Sequence, residues 1–253
     1  MMRWLERISI LAVMLSAMGC STTASGPLQS NPQTAADLNA QLGLAYMEQG
    51  NNEEALKKLR HALELNPDSA SANHYIAELY RKLGKNSEAE RHYRKALSLT
   101  PSDPMLLNNY GVYLCSQHRL DEALERFLAA VKQPFYKTPE VAYDNAGLCA
   151  LQIPDEAKAE EYFRSALHVN PRMPDALYEM ADLSFKQHKY LHARAFVQRY
   201  ADVATPTPQI LWLAVRVERE LGDRAAADRY AKQLTERFPT AEETLLLQGH
   251  KAP

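Results

Sequence analysis

Three segments of the chain share one residue pattern: ALKKLRHALELNP at 55–67, AERHYRKALSLTP at 89–101 and AEEYFRSALHVNP at 159–171. Each has alanine at its first and eighth positions, Leu, Tyr or Phe at its fifth, and proline at its end. Pro67 and Pro101 are 34 residues apart, while Pro171 lies 70 residues after Pro101 and 68 before Pro239. These spacings are one or two copies of a period close to 34. Self-similarity at a fixed period indicates a repeat architecture.

The pattern resembles the tetratricopeptide repeat, in which each unit is a pair of helices, A and B. It covers about residues 36–241 as six repeats: 36–69, 70–103, 104–139, 140–173, 174–207 and 208–241. Position eight, where the two helices approach closely, holds Gly43, Ala77, Gly111, Gly147, Ala181 and Val215. One helix pair cannot bury its apolar face alone, so stacking is required. The resemblance implies an all-α, right-handed superhelix whose concave groove is lined by the A helices.

The turn between helices A and B has its own pattern at position fifteen. The six residues there are Gly50, Gly84, His118, Pro154, His188 and Gly222. Glycine at a helix C-terminus commonly adopts positive φ, and histidine is enriched among other residues that do so. We therefore predict left-handed turns at these positions, except at Pro154, whose ring forbids positive φ. Repeat six departs elsewhere, with Val215 at position eight and Glu218 at position eleven.

The first nineteen residues differ from the repeats. Arg3 and Arg7 precede an apolar run at 8–18, which is too short to cross a bilayer, where about 20 residues are needed. Residues 1–19 are therefore interpreted as a secretory signal peptide. The alternatives for its end are lipidation at Cys20 or an ordinary cleavage that leaves a free cysteine.

The stretch LSAMGC at 15–20 resembles the lipobox of bacterial lipoproteins, with Gly19 before the cysteine and Met18 departing from the pattern. The resemblance implies that Cys20 is fatty-acylated and that residues 20–35 form a flexible tether. Ser21 follows where an inner-membrane lipoprotein would have aspartate, which favours the outer membrane, facing the periplasm. At the other end, 242–253 is expected to form a C-terminal cap.

Catalytic, metal and cofactor sites find no support in the sequence. Net charge is −2 and only nine residues are glycine, so neither a nucleic-acid partner nor a glycine-rich phosphate loop is indicated. His188 and His192 have the spacing of a helical metal pair, but His188 falls in a turn. Cys115 and Cys149 are either a disulfide in an oxidising compartment or two buried thiols. We expect no enzyme, no cofactor and a monomer.

The groove predicts a protein-binding surface. In the tetratricopeptide family, positions 2, 5, 6, 9, 12 and 13 of each repeat face the groove. The candidate partner-binding residues at these positions are Leu44, Met47, Asn108, Asn109, Val112, Asn145, Leu148 and Leu151. A carboxamide offers both a donor and an acceptor to a peptide backbone. In the alternative interpretation, the asparagines bond between repeats and the apolar residues only pack.

Two longer segments make the resemblance specific to one group of tetratricopeptide proteins: LLNNYGVYLCSQHRLDEALERFLAA at 106–130 and EMADLSFKQHKY at 179–190. With the lipobox and six repeats, they are similar to pilotins of the PilF/PilW type, a family of type IV pilus biogenesis lipoproteins. The resemblance implies a non-enzymatic protein that binds the pilus secretin and promotes its outer-membrane localisation and multimerisation. The alternative is an adaptor for peptidoglycan hydrolases or envelope assembly.

Overall fold

A computed structural model describes residues 31–153 and 155–249. Their regular secondary structure is entirely helical, in thirteen helices. The helices are α1 (Pro32–Glu48), α2 (Asn52–Leu65), α3 (Ala70–Lys82), α4 (Asn86–Leu99), α5 (Pro104–Ser116), α6 (Leu120–Val131), α7 (Pro139–Ala150), α8 (Glu156–Val169), α9 (Pro174–Lys186), α10 (Tyr190–Ala201), α11 (Pro208–Glu220), α12 (Arg224–Arg237) and α13 (Glu242–Leu247). Successive odd and even helices from α1 to α12 pack as six pairs. The all-α stack of helix pairs is confirmed.

Neighbouring A helices also contact one another directly along the stack. This holds for α1 with α3, α3 with α5, α5 with α7 and α9 with α11. Among the described residues, α7 and α9 approach each other less closely than these pairs do.

Glycine at position eight permits close packing within each pair. A Cβ atom on Gly111 would lie 2.7 Å from Cε1 of Phe127, and one on Gly147 would lie 2.6 Å from Cε1 of Phe163. Both phenylalanines are fully buried. The absent Cβ thus makes room for the ring that joins the two helices of a repeat.

The turns between helices A and B follow the prediction. Gly50, Gly84 and Gly222 have φ of 77°, 71° and 76°, and His118 and His188 both have φ of 57°. Positive φ reverses the chain after helix A without a loop. Pro154 lies outside the described residues, so the exception expected there stays a prediction.

The start of the stack differs from the expected boundary. Helix α1 begins at Pro32, so residues 32–35, assigned to the tether, are helical. Proline suits the first helical position because no intrahelical N–H is needed there. Ala36, in the second turn of this helix, is fully buried. The signal peptide, Cys20 and residues 21–30 of the tether lie outside the described residues.

At the other end, α13 packs on α11 and α12. Thr244 is its buried residue, and its Oγ1 donates a hydrogen bond of 2.7 Å to the Phe238 carbonyl. Leu246 is exposed, whereas Leu245 and Leu247 are half-buried. None of the thirteen helices in the described residues is long and apolar enough to span a bilayer.

Candidate interaction groove

A chain of side-chain contacts runs along the A helices of repeats two to four. Nδ2 of Asn109 lies 3.0 Å from Nε2 of His74, and Nδ2 of Asn145 donates to Oδ1 of Asn108 at 3.0 Å. Asn108 and Asn109 join the two links, with Nδ2 of Asn108 donating to Oδ1 of Asn109 at 3.2 Å. In both links, position five of one repeat meets position six of the next. We call these four residues the amide ladder.

His74 fits this ladder as a neutral imidazole. Burial lowers the pKa of His74, against the opposing pull of Glu78 and Asp103. A neutral ring leaves Nε2 free to accept a hydrogen bond from the Asn109 amide. The asparagines therefore bond between repeats, which was one of the two interpretations. Their role as partner contacts stays a prediction.

The apolar groove candidates fall into separate places. Val112 and Leu148 line one cleft of about 230 Å³, together with Asn145 and the two cysteines. Leu148 is 40% exposed, so its side chain is available to a partner. Met47 and Leu151 are half-buried and pack against the main core, like Val112. Leu44 is half-buried on α1, two repeats away from the cleft.

Cys115 and Cys149 form a disulfide between α5 and α7. Their Cα atoms are 5.8 Å apart, within the usual range for this bond. The disulfide forms part of the cleft wall beside Asn145, and it ties repeats three and four together. Of the two alternatives for these cysteines, the structure has the disulfide.

The two histidines with metal-like spacing have different surroundings. Nδ1 of His188 lies 2.7 Å from the Tyr190 hydroxyl, within the turn, whereas His192 is exposed on α10. Across 31–153 and 155–249, no group of three or more His, Cys, Asp or Glu residues is arranged to hold a metal ion.

A second cavity, of about 320 Å³, was not anticipated from the sequence. It lies between α7, α9 and the start of α11, and we call it the acidic pocket. Its lining consists of Asp144, Leu148, Asp175, Tyr178, Glu179, Tyr200, Thr207 and Gln209. Four of these stand at positions two, five and six of repeats five and six. Extending the groove positions to those repeats would have found them.

The amide ladder stops at the acidic pocket. Asp144 is at position five of repeat four and Glu179 at position six of repeat five, so the next link would join two carboxylates. Asp144 is only 5% exposed. Its Oδ1 meets no hydrogen-bond donor within the described part of the chain. Two ionised carboxylates repel and cannot hydrogen-bond to each other.

Two of the carboxylates that line the acidic pocket have raised pKa values. Burial, reinforced by the charges of Asp175 and Glu179, raises the pKa of Asp144 to about 7. Burial also raises the pKa of Glu179, aided by Asp182 and Asp175 and opposed by Lys186. Lys186 is already paired with Asp182 at 2.6 Å. The pocket therefore concentrates negative charge without a neutralising partner in its lining.

A model of the tetratricopeptide repeat matches residues 41–104, 76–137 and 155–207. The type IV pilus assembly protein PilF of Pseudomonas aeruginosa is 35% identical over 247 residues, covering 96% of this chain and 97% of PilF. The chain belongs to the tetratricopeptide-repeat family, in its PilF group.

Solved structures agree with this assignment. The PilF structure has a TM-score of 0.78 and covers 86% of this chain and 98% of PilF. The structure of PilW, a widely conserved type IV pilus biogenesis factor, has a TM-score of 0.76 at 29% identity and covers 84% of this chain and 98% of PilW. The chain is thus a tetratricopeptide protein of type IV pilus biogenesis, a class that points to protein interaction.

Proposed function

We propose that this protein is an outer-membrane lipoprotein that binds the type IV pilus secretin and promotes its localisation and multimerisation. Similarity to PilF over 96% of the chain carries the proposal, and the LSAMGC stretch supports lipidation at Cys20. The acyl chains would deliver the protein to the outer membrane, facing the periplasm. Several acyl chains on one residue suffice for stable anchoring. A secretin subunit held in the groove would reach the same membrane.

The anchor is tested with Cys20→Ala, using Ser21→Ala as a control that keeps the cysteine. We expect Cys20→Ala to leave the helical circular dichroism spectrum unchanged but to release the protein from the outer-membrane fraction. Secretin multimers in that fraction should fall by about tenfold or more, because a single lost anchor removes nearly all membrane affinity. Normal multimers in the outer membrane with Cys20→Ala would refute the coupling.

The groove is tested with Leu148→Glu, because Leu148 is exposed and lines both the cleft and the acidic pocket. Leu191→Glu is the matched control, since Leu191 is 69% exposed on α10, a B helix. We expect Leu148→Glu to weaken secretin capture by about tenfold, the effect of losing one well-placed contact of 1.4 kcal/mol.

Two further variants examine the rest of the predicted surface. Leu44→Glu with Met47→Glu tests repeat one, and Asn108→Ala with Asn145→Ala tests the ladder. The second pair also removes a bond between repeats, so its folding must be checked first. Unchanged secretin capture by all three groove variants would move the contact to another face. Capture of peptidoglycan hydrolases in place of secretin would favour the adaptor function.

A further inference from the structure

We propose that the acidic pocket between α7, α9 and α11 binds a basic side chain of a protein partner, arginine in preference to lysine. The juxtaposition of Asp144 and Glu179 at the point where the amide ladder stops carries this inference. The proposal concerns the pocket alone. Where the proposed function also holds, the basic residue belongs to the secretin.

The interrupted ladder identifies what is missing from the pocket. In the two preceding links, an amide N–H occupies the space between neighbouring A helices. At the third link both residues are acceptors when ionised, and Oδ1 of Asp144 has no donor among residues 31–153 and 155–249. Buried polar atoms are rarely left unpaired, because the free-energy cost of removing such an atom from water is then not offset by a hydrogen bond. A ligand that supplies N–H donors would complete the ladder.

The charge of the pocket specifies a cation. Asp175 and Glu179 both act on Asp144, and neither lysine nor arginine is among the eight lining residues. Of the nearby arginines, Arg199 donates to the Pro171 carbonyl at 3.2 Å. Arg216 acts on Tyr178 but lies over the Phe185 ring at 4.2 Å. The described carboxylates lack a metal-binding arrangement, which favours an organic cation over a metal ion.

The walls of the pocket favour arginine over lysine. Tyr178 is half-buried and Tyr200 is buried, and both line the cavity with Leu148. A planar guanidinium packs against aromatic faces and donates several N–H groups in a fixed fork to carboxylates. Thr207 and Gln209 at the start of α11 add neutral polar groups. The pocket thus combines acceptors for the head group with apolar walls for the stem.

The pocket can be tested without any partner protein. N-acetyl-arginine amide is titrated into the ¹⁵N-labelled protein at pH 8 and followed by NMR, with N-acetyl-citrulline amide as its neutral isostere. We expect saturable shifts in α7 and α9 around the pocket, with a Kd on the order of millimolar, as befits one side chain. Citrulline should bind at least about tenfold more weakly, and lysine amide should lie between the two.

Variants assign the binding to the acidic pair. Asp144→Asn and Glu179→Gln should each weaken arginine binding by about tenfold, whereas Asp228→Asn, an exposed carboxylate on α12, should not. Binding by the parent should strengthen from pH 6 to pH 8 as Asp144 ionises. Equal binding of arginine and citrulline would overturn the proposal. So would no binding at pH 8, which would mean that the pocket takes only a proton.

These outcomes are independent of the proposed function. Arginine binding with no capture of secretin would support the pocket and refute the secretin assignment. Secretin capture without arginine binding at the pocket would do the reverse.

Discussion

Asp144→Asn should unfold at a higher temperature than the parent protein at pH 8, and at nearly the same temperature at pH 4. The buried carboxyl has a folded-state pKa of about 7, against an ordinary value of 3.8. The folded protein therefore holds this proton more tightly than the unfolded chain does. Its stabilising contribution is complete below about pH 4 and is lost as pH rises to about 7. Asparagine keeps the shape of the side chain and removes this dependence.

The size of the expected change in stability follows from the same two pKa values. Raising the pKa from 3.8 to about 7, at about 1.4 kcal/mol per pKa unit, gives about 4 kcal/mol at pH 8 as an upper bound. For a domain of this length, 1 kcal/mol moves Tm by roughly 2–4 °C, so Tm should rise by up to about 8–16 °C. Thermal unfolding followed by far-ultraviolet circular dichroism at pH 4, 6 and 8 measures the change in Tm, and urea unfolding at the same pH values measures the change in free energy.

Asp228→Asn is the control, because an exposed helical carboxylate should change stability by less than about 0.5 kcal/mol at every pH. If Asp144→Asn were less stable than the parent at pH 8, the buried carboxylate would be stabilised by a partner within the protein. The acidic pocket would then contribute to the stability of the fold, which would contradict this prediction. A variant that is more stable but binds arginine less well cannot owe its loss of binding to unfolding.

Gly147→Val should destabilise the protein by about 3 kcal/mol and lower Tm by about 6–12 °C. A Cβ at this position would lie 2.6, 2.7 and 2.8 Å from three carbon atoms of the Phe163 ring. That ring is fully buried, so it cannot move aside without disturbing the core. Valine has a better helix propensity than glycine, but by only about 0.5 kcal/mol, which does not offset the overlap. Thermal unfolding of the purified variant measures the loss.

A compensating change separates this overlap from other causes. Phe163→Ala should itself destabilise the protein through the cavity it leaves. The variant that carries both Gly147→Val and Phe163→Ala should nevertheless lose less free energy of unfolding than the two single variants lose together. Repeat four has its small residue at position eight and its large residue at position twenty-four. Repeat six has the opposite order, with the larger Val215 at position eight and the smaller Ala231 at position twenty-four. Additive losses in the double variant would show that the two side chains do not compete for one space.

Repeat six shows where prediction from the sequence reached its limit. Val215 and Glu218 depart from the repeat pattern, yet both are buried. Nε of Arg194 on α10 donates to Oε1 of Glu218 at 3.0 Å, and its Nη2 bonds the second carboxylate oxygen. A buried carboxylate is tolerated when it is paired in this way. The partner comes from the previous repeat, so position eleven alone gives no sign of it.

The sequence by itself determined the repeat period, the helix pairs, the left-handed turns at His118 and His188, and the glycines at position eight. The period is read from recurring residues along the chain, and the other three depend on residues within one helix pair, where local backbone geometry and packing act. Only the tertiary structure decided the amide ladder, the disulfide, the Arg194–Glu218 pair and the acidic pocket. Their partners are 24 to 37 residues apart in sequence and meet across neighbouring repeats. Which side chains meet there depends on how successive repeats rotate and approach, and a period does not specify that rotation.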